Sequence, residues 1–488
     1  MRRLTVGDED SLFGKASRAL GWSLANAAVG RLGTLAIGIA LARLLGPAEF
    51  GVFAVAMVAL LAVLSFHELG VSLAIVRWPG DPREIAPTVA TISVAASVLI
   101  YAGCFLAAPA FASAMGAPGA ADVIRLLTLS VVVSGLVAVP AALIQRGFRQ
   151  DRKMLADQVN NWGGAIVSIV LAATGMGAMS LAVGRLAGSA GSAILLVRAS
   201  PEPLRFGFDR ERARALLRFG LPLAGSSIVV FGVTTVDQVI VGHTLGATAL
   251  GFYVLAFNLS NWPVTVFSQP VRSVAPAAFA RLQHDPPVLR GAFVSTTGLL
   301  AGLTLPVCLL LAGAAEPLIQ VVYGGPWAPA ADVLMWLALL GGLRIMFELM
   351  YDYFVVLARS RVVFTLQVVW LVALVPALLV GAEAGGIAGV AAAHVAVAAC
   401  LVLPLYLWEL HRAGVSARAV LAQLALPALI AALVGVAAAA AHTTISFDLI
   451  ALAVAGLVAL AALAFFFRRA RAALDGLRNL EGADATPA

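Results

Sequence analysis

Apolar runs of about twenty residues recur from one end of this chain to the other, and each is long enough to cross a bilayer as a helix. Punctuated by Gly, Pro and charged residues, they fall near 19–42, 50–74, 85–108, 119–143, 159–174, 178–197, 217–242, 249–269, 291–314, 329–357, 362–381, 386–408, 420–441 and 447–467. That makes about fourteen spans. Inside lipid a backbone must satisfy its own hydrogen bonds, and runs of this length do so as helices. The expected fold is therefore an all-α polytopic membrane protein.

Composition excludes the soluble alternative. Of 488 residues, 61% are apolar and 12% charged, against about a quarter charged in soluble domains. The net charge of +7 could suggest a nucleic-acid partner, but the basic residues sit in short loops beside apolar runs. There a bias of Lys and Arg toward the cytoplasm sets orientation. Arg77 and Arg83, Arg146 to Lys153, the arginines from Arg198 to Arg218, Arg281 and Arg290, Arg359 and Arg361, and Arg412 and Arg418 all fall on one side, with both termini. The alternate loops hold almost none, Arg43 being the clear exception. No nucleic acid is expected as a partner. Cys104, Cys308 and Cys400 are isolated within apolar segments and read as small fillers, and no cofactor is implied.

An internal repeat organises the spans. Leu45-Gly46, Gly51, Phe53 and Ala56 recur as Leu245-Gly246, Gly251, Tyr253 and Ala256, and Ala120-Ala121-Asp122-Val123 recurs as Ala330-Ala331-Asp332-Val333. Six spans separate each pair, so orientation is preserved and the repeats are parallel. The expected division is a six-helix lobe over 1–200, a linker over 201–215, a second six-helix lobe over 216–410, and two extra helices with a basic tail over 411–488. The linker reads as a solvated connector. Around Arg468 to Leu480, the tail has the spacing of a helix lying on anionic headgroups.

A charge at the bilayer centre costs at least about 2.5 kcal/mol, so intramembrane ionisable residues are functional candidates. Arg31, Arg125, Arg185 and Arg344 fall within spans. Around a shared cavity they would suit an anion such as a pyrophosphate, because guanidinium stays charged and offers paired donors; a structural ion pair or snorkelling is the competing reading, strongest for Arg125. Arg344, Glu348 and Asp352 are spaced i, i+4, i+8 on one helix face, a ladder that partly neutralises itself and leaves one carboxylate in excess. Together with Asp237, that carboxylate could couple transport to H⁺ or Na⁺; a purely structural ladder fits the spacing equally well. Asn26 and Asn258 could bind sugar hydroxyls or join helices.

There is no GxxxxGK[ST] phosphate loop, and His67-Glu68 lacks the second His of a zinc protease because residue 71 is Val, so enzyme chemistry is not expected. Ala42-Arg43-Leu44-Leu45-Gly46-Pro47-Ala48-Glu49-Phe50-Gly51, then Glu68-Leu69-Gly70, Gln145-Arg146 with Arg149, Phe219-Gly220-Leu221-Pro222, Asp237, and Leu245-Gly246 with Gly251 and Tyr253 resemble the Wzx-type oligosaccharide flippases. Their superfamily also contains multidrug and toxin extrusion transporters. The resemblance implies two lobes around a central cavity, alternating access, and a polyprenyl-pyrophosphate-linked oligosaccharide turned to the outer leaflet of a bacterial inner membrane. Membrane lipids, a polysaccharide polymerase and export machinery are the further expected partners, and a multidrug or cation antiporter is the alternative. Charges at Arg344, Glu348 and Asp352 depart from the neutral helices usual in similar proteins. Replacing Arg31 by Ala is expected to abolish transport while membrane insertion, measured by fractionation, stays normal; undiminished transport at equal expression would remove Arg31 from the site.

Overall fold

The computed structural model describes residues 6–65, 74, 75, 78, 80–147, 149–445 and 447–484, and within these the side chains at 6–32, 34, 150, 219–230, 233, 273, 274, 277 and 470–484 are outside the described set. Asn26 and Arg31 are thus placed by their helical backbone alone, and His67 and Glu68 lie outside the described residues.

The first half contains α1 (Val6–Leu64), α2 (Ala86–Ala114), α3 (Ala121–Arg146), α4 (Gln150–Gln158), α5 (Gly164–Ala173) and α6 (Ala178–Ala199). The second contains α7 (Arg210–Leu245), α8 (Ala247–Ser260), α9 (Gln269–Leu282), α10 (Pro286–Gly313), α11 (Ala315–Val322), α12 (Ala330–Val356), α13 (Ser360–Val397) and α14 (Leu403–Arg412). Two further helices, α15 (Ala417–Thr444) and α16 (Asp448–Asp484), pack on α10. Among the described residues no strand occurs, and nine helical stretches are long and apolar enough to cross a membrane. Two of these stretches are broken, at Gly46 in α1 and at Gly385 and Gly386 in α13, so the number of crossings depends on how such breaks are counted.

The repeat is visible in the backbone. Gly46 (φ 70°, ψ 173°) ends one helix and Gly246 (φ 87°, ψ 175°) does the same 200 residues later. Both conformations are in the region that a Cβ disfavours. A further pair was not apparent from residue identities: Gly177 (φ 58°, ψ −144°) and Gly386 (φ 57°, ψ −140°) make the same turn in the two halves. Each half also starts a helix at its Ala-Ala-Asp-Val segment after a short 3₁₀ turn, at Pro118–Ala120 and Gly325–Trp327.

Small residues allow the helices to approach closely. In the first half Gly164 of α5 meets Gly184 and Gly188 of α6, and Gly381 meets Gly389 across the break in α13. Gly313 of α10 lies against Gly435 of α15. Between the halves, α1 packs mainly on α8. There a Cβ on Gly51 would stand 2.2 Å from the Ala247 carbonyl oxygen, and one on Gly251 would stand 2.7 Å from the Pro47 oxygen.

Several side-chain contacts between halves lie at this same end. Trp327 Nε1 donates to the Ala42 carbonyl at 3.2 Å, and its ring meets Phe50 and Phe252 edge-on. Arg43 donates to the carbonyls of Val322 and Val321 at 2.7 and 2.6 Å. Its exceptional position in the charge pattern thus has a structural cause: it caps the orphan carbonyls at the C-terminus of α11. The His243 ring bonds the Ala114 carbonyl at 2.8 Å.

At the opposite, basic end, the linker is not the freely solvated connector that its charge suggests. Gly207 and Asp209 donate backbone N–H groups to the Pro87 carbonyl and the Thr88 hydroxyl, Arg83 pairs with Glu202 at 2.6 Å, and Arg212 reaches the Glu84 carbonyl. Asp209 also caps α7 by accepting from the Glu211 and Arg212 N–H groups, which satisfies donors that a helix start leaves free. The linker is therefore stitched to the first half.

The seam between the halves predicts a specific weakness. Gly51→Val would force side-chain atoms into backbone at a contact that cannot retreat, costing about 1–3 kcal/mol. Gly38→Ala, where a Cβ meets nothing within 4 Å, should leave thermal unfolding of the purified protein unchanged or slightly raised. Equal melting temperatures for Gly51→Val and wild type would show that the halves do not depend on this approach.

Candidate functional site

A cavity of about 530 Å³ lies within the second half, between α7, α8, α9, α12, α13 and α14. Its charged lining is Asp237, Arg272, Arg344 and Glu348, and its aromatic lining is Phe257, Phe347, Tyr351, Phe364, Trp370 and Tyr406. Thr234, Gln367 and His394 add uncharged polar groups. Val355 and Phe364, 51% and 62% exposed, stand at its mouth near the turn joining α12 to α13, whereas Asp237 at its depth is 1% exposed.

Asp237 is held by two donors. The Tyr253 hydroxyl gives a hydrogen bond to Oδ2 at 2.9 Å and the Gln238 N–H gives one to Oδ1 at 2.8 Å. His394 Nδ1 is 3.7 Å from Oδ2, too far for a hydrogen bond, and no guanidinium pairs with Asp237 directly among the described residues. The repeat shows how local this arrangement is. At an offset of 200 the first-half counterparts of Asp237 and Tyr253 are Ile37 and Phe53, so both oxygen-bearing groups are peculiar to the second half.

The ladder on α12 is built differently from the expectation. Glu348 and Asp352 do not draw their counter-charge from Arg344. Arg272 on α9 binds Asp352 through two parallel bonds of 2.7 and 3.0 Å and reaches Glu348 at 3.3 Å, while Ser268 donates to Glu348 at 3.0 Å. The i, i+4 spacing predicted an intrahelical partner, but a fork on the facing helix offers two aligned donors that one helix face cannot. Arg272 was not among the candidates because it lies just beyond the expected span 249–269. A guanidinium following an apolar run and two carboxylates on a later one were the available signal.

Arg344 is left without an ion pair among the described residues. It lies over the Phe257 ring at 5.4 Å, facing the cavity. At an offset of 210 the counterparts of Arg344, Glu348 and Asp352 are Ser134, Ala138 and Ala142, so this charge too is confined to the second half.

Of the other candidate arginines, Arg125 and Arg185 do not line this cavity, and the Arg31 side chain is outside the described set. Arg125 pairs with Asp122 at 3.0 Å and sits over Phe105 at 4.6 Å, as a snorkelling residue would. Arg185 is exposed, without a hydrogen bond or ion pair among the described residues, and lies on the side of α6 opposite the exposed Ala187, Ile194 and Arg198. Asn258 is exposed on α8 next to the cavity residue Phe257. Arg146 is structural, donating to the carbonyls of Ile75, Trp78 and Gly80.

Comparison with known proteins gives this architecture a family. The polysaccharide biosynthesis protein family matches residues 40–332. The chain belongs to it. Among relatives, the succinoglycan biosynthesis transport protein ExoT of Rhizobium meliloti (strain 1021) is 28% identical over 386 residues, covering 76% of this chain and 75% of ExoT. The lipopolysaccharide biosynthesis protein WzxC of Escherichia coli (strain K12) is 24% identical over 352 residues, 72% of each chain. Among solved structures, the lipid II flippase MurJ in an inward closed conformation superposes with a TM-score of 0.75 at 13% identity, covering 91% of this chain and 98% of MurJ. An inward-facing multidrug resistance MATE transporter of the MOP superfamily gives 0.60 at 18% identity, covering 79% of this chain and 98% of that one. The chain is a multi-pass membrane protein of the polysaccharide biosynthesis family, and its fold is that of the solved MurJ and MATE proteins.

The Ala42–Gly51 motif behind the expected resemblance has a physical role in this family member. Ala42, Arg43, Phe50 and Gly51 all serve the seam between halves, and the Glu49 carboxylate accepts from the Ala178 N–H at 2.7 Å, at the start of α6. Deeper in the second half, the Arg272 fork makes a testable demand. Arg272→Ala should destabilise the purified protein by about 3 kcal/mol, because it leaves two largely buried carboxylates without their cation. Adding Asp352→Asn should recover part of that loss; no recovery in thermal melts would mean that the fork contributes packing and not charge.

Proposed function

We propose that this protein is a flippase that moves a polyprenyl-pyrophosphate-linked oligosaccharide repeat unit from the cytoplasmic to the outer leaflet of a bacterial inner membrane, for surface polysaccharide biosynthesis. The observation that carries the reading is the match to the polysaccharide biosynthesis protein family, with a relative named as a transport protein, on a chain whose two halves are joined backbone to backbone at the Gly51–Gly251 seam. The charge asymmetry makes the linker end cytoplasmic. The Gly51–Gly251 seam is then the outer closure, and both termini are cytoplasmic. ExoT is named for succinoglycan transport, WzxC for lipopolysaccharide biosynthesis and MurJ as a lipid II flippase, which supports a lipid-linked sugar as the cargo.

In this reading Arg31, Arg185 and Arg344 neutralise the pyrophosphate as the halves rock, with Arg125 at the rim and Asn26 and Asn258 available to sugar hydroxyls. The lipid tail stays in the bilayer. Among Asp237, Glu348 and Asp352, Asp237 is the best placed to couple motion to H⁺ or Na⁺. Glu348 and Asp352 already have Arg272 as a direct partner, whereas among the described residues Asp237 is hydrogen-bonded by two neutral donors, with Arg344 acting on it through space. A cation arriving at Asp237 would change the charge of a site next to the closure between halves. A polymerase and export machinery are the partners to which the flipped unit would pass.

A second reading has an observation of its own: carboxylates and aromatic rings line one cavity, as a carrier of organic cations would require. Lipid extraction and mass spectrometry on depleted cells separates the two. Accumulation of a lipid-linked oligosaccharide, relieved by wild type but not by Asp237→Asn at equal expression, is the outcome expected of an ion-coupled flippase. Normal lipid-linked sugars together with new sensitivity to cationic drugs would establish the antiporter instead.

A further inference from the structure

His442 lies in the last turn of α15, between two carboxylates from different helices. Its Nε2 is 3.3 Å from Oε2 of Glu316, in the first turn of α11, and its Nδ1 is 3.4 Å from Oδ1 of Asp448, in the first turn of α16. The side chains of His442, Glu316 and Asp448 are 26%, 59% and 30% exposed, so protons reach the cluster from solvent. Gln320 donates to the other oxygen of Glu316 at 3.3 Å. The neighbouring end of α10, at Leu310, Gly313 and the following Ala314, brings no charge to the cluster, and among the described residues the ring has no other ionic partner.

A neutral imidazole has one N–H and one lone pair. Between two carboxylates it can donate to one and must turn its lone pair toward the other, and Nδ1 makes no hydrogen bond among the described residues. The protonated ring donates from both nitrogens, and both contacts are then charge-assisted. Imidazole is also the side chain whose charge ordinarily changes between about pH 5 and 8. The junction of α11, α15 and α16 is therefore complete only with a proton on the ring.

The opposite end of α11 reaches the seam between the halves. This helix of eight residues is about 12 Å long, and buried Pro317 and Ile319 seat its inner face. Its last carbonyls, on Val321 and Val322, accept from Arg43 of the first half at 2.6 and 2.7 Å, and Trp327 just beyond it donates to the Ala42 carbonyl. One short helix thus has the two extra C-terminal helices at one end and the seam at the other. Displacing its N-terminus displaces the carbonyls that Arg43 needs.

We propose that α11 is a proton-responsive strap on the outer closure. Protonated His442 draws Glu316 and Asp448 together, seats α11 and favours the closed seam through Arg43; loss of the proton frees α11 and eases opening. The sign follows from linkage: the arrangement that the protonated ring favours is populated in acid and lost as pH rises. The two helices outside the repeat thereby acquire a task, control over when that end opens. Only the word outer rests on the flippase reading; the strap and its test do not.

The test uses the full-length protein in nanodiscs, where both faces meet the buffer. Spin labels are placed at Gly119→Cys and Gly325→Cys, one in each half near the seam, both exposed and with no atom within 4 Å of a Cβ. Cys104→Ala and Cys400→Ala remove the accessible thiols, and Cys308 is buried. Between about pH 8 and about pH 5.5, across the imidazole range, the ratio of short to long label distances should rise roughly threefold, the scale of a partly exposed charge pair. His442→Gln should abolish the rise. Glu316→Gln should abolish it too, at an exposed position that leaves the imidazole in place. In Arg43→Ala the distances should ignore pH while the melting temperature still responds to it, because the strap still grips the C-terminal helices. A wild-type distribution indifferent to pH, a rise that survives both His442→Gln and Glu316→Gln, or one that survives Arg43→Ala overturns the strap. Such a failure leaves the flippase standing, since that reading is decided by the lipid-linked oligosaccharide of depleted cells.

Discussion

The arrangement depends on two helices from different halves approaching until backbone meets backbone, at Gly51 of α1 and Gly251 of α8. Lipid provides no hydrophobic drive for helices to associate, so such contacts rely on close packing and on hydrogen bonds that lipid cannot supply. Both are present. Glycines bring the backbones together, Trp327 and Arg43 then bond carbonyls across the seam, and Phe50 and Phe252 close on the indole. These contacts sit at one end, while the linker is stitched to the first half at the other.

Duplication made the two halves alike in path and unlike in charge. Gly46 and Gly246, and Gly177 and Gly386, repeat the same backbone turns, yet where the first half has Ile37, Phe53, Ser134, Ala138 and Ala142 the second has Asp237, Tyr253, Arg344, Glu348 and Asp352. Each buried charge is expensive unless paired. Arg272 meets that requirement for Glu348 and Asp352, and neutral donors from Tyr253 and Gln238 meet part of it for Asp237. Among the described residues, Arg344 without a direct ion pair and Asp237 hydrogen-bonded only by neutral donors are what is left over, and both line one aromatic cavity.

Several features were legible before any coordinates because they are one-dimensional properties of a chain in lipid. Apolar runs gave the spans, alternating arginines gave a consistent sidedness, and Leu-Gly with a following Gly gave the repeat. Arg43 broke the charge rule, and no local pattern could say why, since its partners are carbonyls 278 and 279 residues away. The helix ladder was misassigned for a related reason. Spacing places Arg344, Glu348 and Asp352 on one face, but it contains no information about which other helix lies against that face. The linker looked solvated because charge density reports composition, and its backbone bonds to Pro87 and Thr88 are invisible to composition.

The sequence by itself determined that this chain folds as helices in a bilayer, in two related halves with extra helices following, because hydropathy and helix periodicity act over neighbouring residues. It also singled out Asp237 and Arg344 as costly charges to bury. Only the tertiary structure decided which charges compensate one another and which charged and aromatic side chains share a cavity. Those outcomes depend on how helices far apart in sequence pack side by side, and in lipid that packing is set by small-residue contacts and individual hydrogen bonds, which the hydropathy pattern does not encode.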